Sequence, residues 1–287
     1  MWEFNYGSST EIAVLLERKS LAMSKKFGQN FLFSNEARSR IVSLLGAPSG
    51  SCVWEIGPGA GSITSLLLKS GVKLTAFEID HGFCALLRQE AFKDEENFIL
   101  VEGDALKTLF MNESRPDYIC GNLPYNVGSV IIARLIENSI LPSRMVFTLQ
   151  KEVVERMCAR PGDEQYSSFS ILTQADYENT LAFCISRNCF YPKPNVDSAV
   201  VLMTKRSESL IPSELRPFFL SFIRQVFSQR RKTVRNNLSA FSRPELEKAF
   251  SSSGLSGNER AEALSFDQLI SLASALEKVR QKQPEPV

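Results

Sequence analysis

The sequence predicts an α/β protein: a sheet of seven largely parallel strands wrapped by helices, followed by a smaller helical domain. Three observations predict it. Between about residues 51 and 185, short β-branched or apolar runs alternate with amphipathic stretches, the pattern of repeated strand-helix-strand units. A glycine-rich turn, Gly57-Pro58-Gly59-Ala60-Gly61, joins the first such run to the first amphipathic stretch. Beyond Lys205 the strand pattern stops and only helical spacing continues. The chain has 287 residues, 44% hydrophobic and 23% charged, which suits one large core plus a smaller unit and excludes disordered, collagenous and coiled-coil classes.

In chain order, residues 1–21 are expected to form a leader with one short helix over Glu11–Ser20. Strands are expected at Cys52–Ile56, Leu74–Ile79, Phe98–Val101, Tyr118–Cys120, Met145–Leu149, Leu181–Ile185 and Ala199–Thr204, because each is a short β-branched or aromatic run bounded by turn residues. Between them, Ile63–Ser70, Phe83–Phe92, Ser129–Asn138 and Glu152–Ala159 carry helical spacing. The Pro- and Asn-rich stretch Asn188–Asp197 leaves no room for a helix, so the last two strands are expected to be antiparallel. Leu215–Gln229, Pro244–Ser251 and Phe266–Val279 are the C-terminal helices, and the tail from Gln281 is expected to fray. The domains are then a leader (1–21), a sheet domain (22–205) and a helical domain (206–287).

No apolar run approaches the roughly 20 residues of a membrane span. The acidic N-terminal stretch does not resemble a secretory signal, so a cytoplasmic protein is expected. Six cysteines without C-x-x-C spacing read as buried thiols of a reducing compartment. With His81 as the only histidine, neither a Ser-His-Asp triad nor a histidine-rich metal site is easy to build. No metal is expected, and the chain is expected to be monomeric.

The chemistry begins at Glu55-Ile56-Gly57-Pro58-Gly59-Ala60-Gly61. Glycines there let the chain turn and let a ligand approach the backbone. A dinucleotide fingerprint would place its third glycine at Ser62, so the spacing favours S-adenosyl-L-methionine over a nicotinamide cofactor. Glu78, at the end of the second strand, stands where a carboxylate can accept the ribose hydroxyls of an adenosine. Gly103-Asp104-Ala105 follows the third strand, where Asp104 either accepts the adenine amine or simply caps a helix. Three such positions at successive strand ends point to one adenosine ligand and a Rossmann-like S-adenosylmethionine-dependent methyltransferase sheet.

Gly121-Asn122-Leu123-Pro124-Tyr125-Asn126 follows the fourth strand. An exocyclic adenine amine is a poor nucleophile because its lone pair is delocalised into the ring. An Asn side-chain oxygen and the Leu123 or Pro124 carbonyl can accept the amine protons and localise that pair, while Tyr125 stacks on the base.

On these residues the chain resembles the ribosomal RNA adenine N6-dimethyltransferases, most closely the bacterial small-subunit (KsgA/RsmA) type. Further segments that fit are Lys25-Lys26-Phe27-Gly28-Gln29-Asn30-Phe31-Leu32, Gln150-Lys151-Glu152-Val153, Phe190-Tyr191-Pro192-Lys193-Pro194, Val196-Asp197-Ser198-Ala199-Val200, Phe227-Ser228-Gln229-Arg230-Arg231-Lys232-Thr233 and Arg260-Ala261-Glu262, from about residue 20 to 265. Val127-Gly128 and Ser168-Phe169 depart from the pattern, which more often has Ile-Ser and Arg-Leu. The resemblance implies a lid over the cofactor at Asn30 and Leu32, and cofactor contacts from Gly57, Gly59, Glu78, Asp104, Ala105 and Asn122. It also implies a second aromatic, Phe190, sandwiching a flipped adenine against Tyr125.

From Leu215 to Pro244 there is no acidic residue, yet Arg216, Arg224, Arg230, Arg231, Lys232, Arg235 and Arg243 all fall there. Such a cluster is the expected footprint of RNA binding, and Lys25 and Lys26 extend it; the alternative is a cationic face packed against acids of the fold. The substrate implied by the resemblance is small-subunit (16S) rRNA in an immature ribosomal subunit, dimethylated at two adjacent adenines of its 3′-terminal hairpin loop. A large-subunit rRNA adenine N6-methylase, and a non-catalytic ribosome assembly factor of the same fold, are the rivals.

Overall fold

The computed structural model describes residues 2, 4–19, 21, 30–112 and 114–281. Its main sheet has seven strands: β2 (Cys52–Ile56), β3 (Lys73–Glu78), β4 (Phe98–Glu102), β5 (Tyr118–Asn122), β6 (Arg144–Gln150), β7 (Tyr177–Ile185) and β9 (Ser198–Lys205), in the order β4-β3-β2-β5-β6-β9-β7. All seven expected strands are present, most of them a residue or more longer than their apolar runs. β2 is parallel to β3 and β5, β3 to β4 and β5 to β6. β9 runs antiparallel to β6, pairing Gln150 with Ser198, and lies between β6 and β7. The strand order reverses between β2 and β5, and open sheets bind ligands at the carboxyl ends of strands flanking such a point.

Two short strands complete the β structure, β1 (Phe31–Leu32) and β8 (Phe190–Tyr191), which pair antiparallel with Leu32 opposite Phe190. A two-residue strand has no periodicity of its own, and only this long-range pairing reveals it.

The expected helices appear as α3 (Thr64–Lys69), α4 (His81–Leu86, continued by a wider turn over Leu87–Ala91), α6 (Gly128–Glu137) and α7 (Lys151–Cys158). Four further helices are unexpected: α2 (Asn35–Leu45), α5 (Ala105–Met111), α8 (Ser168–Asp176) and the one-turn α10 (Val234–Asn237). α2 is capped by Ser34, which accepts the Ala37 N–H, and is ended by Gly46 at φ 59°. Its buried face is Ala37, Arg38, Ile41 and Leu45, so an arginine interrupts the apolar pattern that would have announced it. At the departure Val127-Gly128, a Cβ on Gly128 would stand 2.5 Å from Leu149 Cδ2, so a side chain at the start of α6 would require Leu149 to shift.

The chain divides into two compact units, one of residues 1–154 and 178–205 and the other of residues 155–177 and 206–287. The helical unit therefore recruits an insertion from the sheet half of the sequence, which a boundary at 205 and 206 does not anticipate. Nor do the described residues of the leader stand apart. α1 (Ser9–Arg18), capped by the Ser8 hydroxyl, buries Ile12, Leu15 and Leu16 in one cluster with Tyr6, Phe31, Ala60, Phe83 and Leu86.

In the helical unit, α9 (Arg216–Val226), α10 (Val234–Asn237), α11 (Arg243–Ser253) and α12 (Phe266–Gln281) enclose Phe219, Phe222, Phe250, Leu269, Leu272 and Leu276. Among the described residues no helix is long and apolar enough to cross a membrane. The six cysteines are free, but Cys52 and Cys184 are exposed, contrary to the expectation of buried thiols, because Cys52 is the first residue of a strand that is otherwise buried on both faces and Cys184 falls on an exposed position of β7.

Arg216 belongs to this unit's interior. Its guanidinium holds Asp176 bidentately at 2.7 and 3.0 Å, and Asp176 is 4% exposed. Removing one partner of such a pair strands the other charge, so Arg216→Ala should destabilise the protein by about 3–5 kcal/mol. In denaturant unfolding, the Arg216→Ala/Asp176→Asn double variant should lose less than the two single losses combined.

Candidate functional site

The carboxyl ends of β2, β3 and β5 and the loop after β4 open on one pocket, lined among others by Asn30, Leu32, Gly57, Gly59, Glu78, Asp104, Ala105 and Asn122, with Leu123, Pro124 and Tyr125. Every expected cofactor residue and all but one of the expected catalytic residues thus meet in a single cavity.

The glycine turn follows β2 directly. Gly57, Gly59 and Gly61 all take positive φ, 71°, 55° and 89°, a region that L side chains rarely adopt. The Gly57 N–H donates to Phe77 O at 2.9 Å, tying the turn to β3. Glu78 is buried at the end of β3, and its carboxylate ties the same two elements together. Oε2 accepts the Gly59 N–H at 3.0 Å, and Oε1 accepts the N–H groups of Ile79 and Asp80, both at 2.9 Å. Burial raises the Glu78 pKa, and the three N–H donors offset only part of that rise. A carboxylate offers about four acceptor positions, so three such bonds leave one open, on Oε2.

Asp104 caps α5 through Oδ1, which accepts the Leu106 N–H at 2.9 Å, and it lines the pocket as well. The capping and ligand-binding readings of this residue are therefore compatible. Beside it, the exposed apolar side chain of Ile79 lines the same cavity.

Asn122 ends β5 opposite Thr148. Its Nδ2 donates to the Asn30 carbonyl at 2.7 Å, which leaves Oδ1 as the acceptor. The Pro124 carbonyl already accepts the N–H groups of Val127 and Gly128, at 3.2 and 2.9 Å. Of the two carbonyls considered from sequence, Leu123 is thus the one not engaged by α6. Tyr125 is half-buried, and its hydroxyl lies 2.6 Å from Ser198 Oγ. Burial raises the phenol pKa, so the side chain stays protonated at neutral pH.

Phe190 is the exception. It is 3% exposed, belongs to the core cluster that contains Leu32 and Val200, and does not line the pocket. The alternation of β8 turns its ring inward, and the accessible aromatic expected there is absent from this structure. Lys25 and Lys26 lie outside the described residues. Arg230, Arg231 and Lys232 are exposed in the helical unit. Arg235 is not presented in the same way: it pairs with Glu247 at 2.5 Å, donates to Ser256 O at 2.8 Å, and lies over the Phe250 ring. For Arg216 and Arg235 the cationic cluster is packed against acids of the fold.

Sequence reasoning gives no role to Glu55, Ile79 or Ser198. Glu55 has a signal, an acid two residues ahead of the first glycine, and Ile79 follows the expected ribose ligand. Ser198 is brought to Tyr125 only by the fold.

Most of the chain resembles known proteins. A model of the family described as ribosomal RNA adenine dimethylase matches residues 21–278. The chain belongs to the ribosomal RNA adenine dimethylase family. This dimethylase-family chain is 40% identical over 283 residues to the ribosomal RNA small subunit methyltransferase A of Treponema denticola, covering 95% of this chain and 96% of that one. It is 38% identical over 273 residues to the protein of the same name from Lactococcus lactis, covering 91% and 92%. A dimethyladenosine transferase from Plasmodium falciparum shares the fold, with a TM-score of 0.72 at 23% identity over 86% of this chain and 97% of that one.

Glu55 gives the dimethylase-family site a pH dependence. It is fully buried in the pocket wall; burial pushes its carboxyl up to about 7, although the Thr64 hydroxyl donates to it at 2.6 Å. The folded state therefore holds this proton more tightly than the unfolded chain does. The associated stability is full below the ordinary value of 4.5 and is lost as pH rises to about 7, a loss of about 3 kcal/mol. Glu55→Gln, which has nothing to ionise, should show a shallower fall in stability between pH 5 and 7.5 in urea titrations.

Proposed function

We propose that this protein transfers methyl groups from S-adenosyl-L-methionine to N6 of two adjacent adenines in the 3′-terminal hairpin loop of small-subunit rRNA, giving N6,N6-dimethyladenosine in an immature subunit in the cytoplasm. The observation that carries the reading is the convergence of Gly57, Glu78, Asp104 and the Asn122–Tyr125 loop on one pocket. The names of the curated relatives support the small-subunit rRNA as substrate.

The residues present fit the cofactor. Glu78 has one acceptor position open for a ribose hydroxyl, fewer than the two that its spacing suggests, because the glycine turn uses Oε2 as well. Asp104 Oδ2 is the atom left for an adenine amine once Oδ1 caps α5. Ile79 supplies an apolar surface for the ring, and Gly57 has no backbone or side-chain atom closer than 3.8 Å to the position of a Cβ. When bound, S-adenosylmethionine supplies an electrophilic methyl group.

This chain's own residues prepare the acceptor. Asn122 Oδ1 and the Leu123 carbonyl accept the two protons of the adenine amine, drawing its lone pair out of conjugation and stabilising the positive charge that develops on nitrogen. Tyr125 stacks on the base, its ring held by Ser198. It does not serve as a base, since burial keeps its phenol protonated. Phosphates are held by Arg230, Arg231 and Lys232, while Arg216 and Arg235 support the fold of the helical unit.

Incubation of the protein with immature small subunits and S-adenosylmethionine, followed by mass spectrometry of the rRNA, should show two dimethylated adenines. Unmodified adenines would leave only a binding factor, and modification of large-subunit rRNA instead would point to the rival methylase. Asn122→Ala should lower the single-turnover rate about 10²-fold or more with little loss of subunit affinity, since its contribution grows as charge develops. Replacing Arg230, Arg231 and Lys232 together with Ala should leave S-adenosylmethionine binding intact. It should also flatten the salt dependence of subunit binding by roughly 0.7 to 0.9 of a slope unit for each phosphate that is no longer neutralised.

A further inference from the structure

We infer that Tyr6 and Arg38 are positioning residues for the cofactor: one from the N-terminal segment and one from α2, these two side chains grip the carbonyls of Ala60 and Ser62 at the end of the glycine turn and set its shape. The inference rests on the reading of that turn as the S-adenosylmethionine site.

The turn is held on one side by carboxylate and strand, as Glu78 takes the Gly59 N–H and Phe77 O takes the Gly57 N–H. Pro58 O and Gly61 O are bonded locally, by the Gly61 and Ser65 N–H groups, whereas the carbonyls of Ala60 and Ser62 are reached by residues far away in sequence. The Tyr6 hydroxyl donates to Ala60 O at 2.9 Å, and Arg38 Nη1 donates to Ser62 O at 2.9 Å. The two clamping side chains touch each other, because the Arg38 guanidinium lies 5.4 Å from the centroid of the Tyr6 ring. Both residues are only 5% exposed. Of the four residues from Gly59 to Ser62, Gly59 and Ser62 line the pocket. Arg38 therefore acts on a carbonyl of the pocket wall itself, and Tyr6 on the peptide between the two lining residues.

Arg38 is an unusual occupant of a helix's buried face. Its guanidinium donates to a carbonyl and to the Asn35 side chain, and among the described residues it meets no carboxylate and its Nε has no hydrogen-bond partner. A buried cation without a carboxylate partner is costly for folding, so stability by itself does not account for it. Orientation of the turn does. Side chains from three parts of the chain are fitted closely around the same backbone. A Cβ on Gly61 would stand 2.6 Å from Phe92 and 3.1 Å from the Tyr6 hydroxyl, and one on Gly59 would stand 2.6 Å from Phe31, which packs against Phe83 in the cluster that buries α1. Three left-handed glycines in a short turn are intrinsically permissive. Bonds to both the N–H and the C=O groups of that turn pre-organise it, and pre-organised sites bind their ligands more tightly.

The full-length chain tests this with three conservative variants. Tyr6→Phe keeps the ring and removes the hydroxyl, Arg38→Met keeps length without a donor, and Arg38→Lys restores one donor. Without any cofactor, hydrogen exchange at the amides of residues 59–63 should be faster in Tyr6→Phe and Arg38→Met than in the parent. In calorimetry and steady-state kinetics well below the unfolding temperature, both should raise the Kd and KM for S-adenosylmethionine about three- to tenfold. The kcat on immature small subunits should stay within about twofold, and Arg38→Lys should recover part of the loss. Lowered thermal stability with unchanged exchange and unchanged cofactor affinity would overturn the inference, as would a fall in kcat with KM unaltered. A parent chain that binds no S-adenosylmethionine would instead overturn the cofactor reading, and with it the positioning role, even if the exchange result held.

Discussion

Glu78 joins three pieces of backbone through one buried carboxylate: the end of β3, the two residues that follow it, and the glycine turn after β2. A carboxylate without water is tolerable only when hydrogen bonds replace its hydration, and here backbone N–H groups supply three of them. The constraint works in both directions. The turn must come close enough to Glu78 to satisfy the carboxylate, and once there its left-handed glycines present open backbone to the pocket. The position of Asp104 follows from the same strand end, since the Gly103 N–H donates to Glu78 O at 2.7 Å.

Across the switch point, β5 delivers the Asn122–Tyr125 loop to the other side of that crevice. Gly121 allows it, because a Cβ there would stand 2.5 Å from Ile56 O in β2. The close approach of β5 to β2 brings the acceptor loop against the glycine turn without a side chain between them. Downstream, α6 takes up the Pro124 carbonyl, and Ser198 at the start of β9 holds the Tyr125 hydroxyl. The loop is thus fixed at both ends by regular structure, which suits a site that has to reshape a poor nucleophile instead of supplying a strong base.

The helical unit shows how a cluster of like charges divides its labour. Arg216 and Arg235 neutralise acids within the unit and lie partly buried, whereas Arg230, Arg231 and Lys232 are exposed. Counting positive residues along the chain does not separate these groups, because the partners Asp176 and Glu247 lie outside the acid-free stretch in which the cations fall. Charge that is already paired in the fold has fewer counterions to release on binding a nucleic acid.

Elements whose identity is written in local pattern are legible in the sequence: seven strands, the glycine turn, the strand-end acids and the Asn-Leu-Pro-Tyr loop. They depend on short-range periodicity and on backbone conformations that few residue types can adopt. What only the tertiary structure decided depends on distant partners. Arg38 hides α2 by occupying a buried position that an apolar residue would normally mark, and Tyr6 is tied to the glycine turn through a bond spanning 54 positions. Residues 155–177 join the helical unit although they precede the last two strands. The motif around Phe190 points to the pocket, but pairing of β8 with β1 turns its ring into the core. In each case the deciding contact joins residues far apart in sequence, and local composition carries no record of where a side chain will point once two such segments have met.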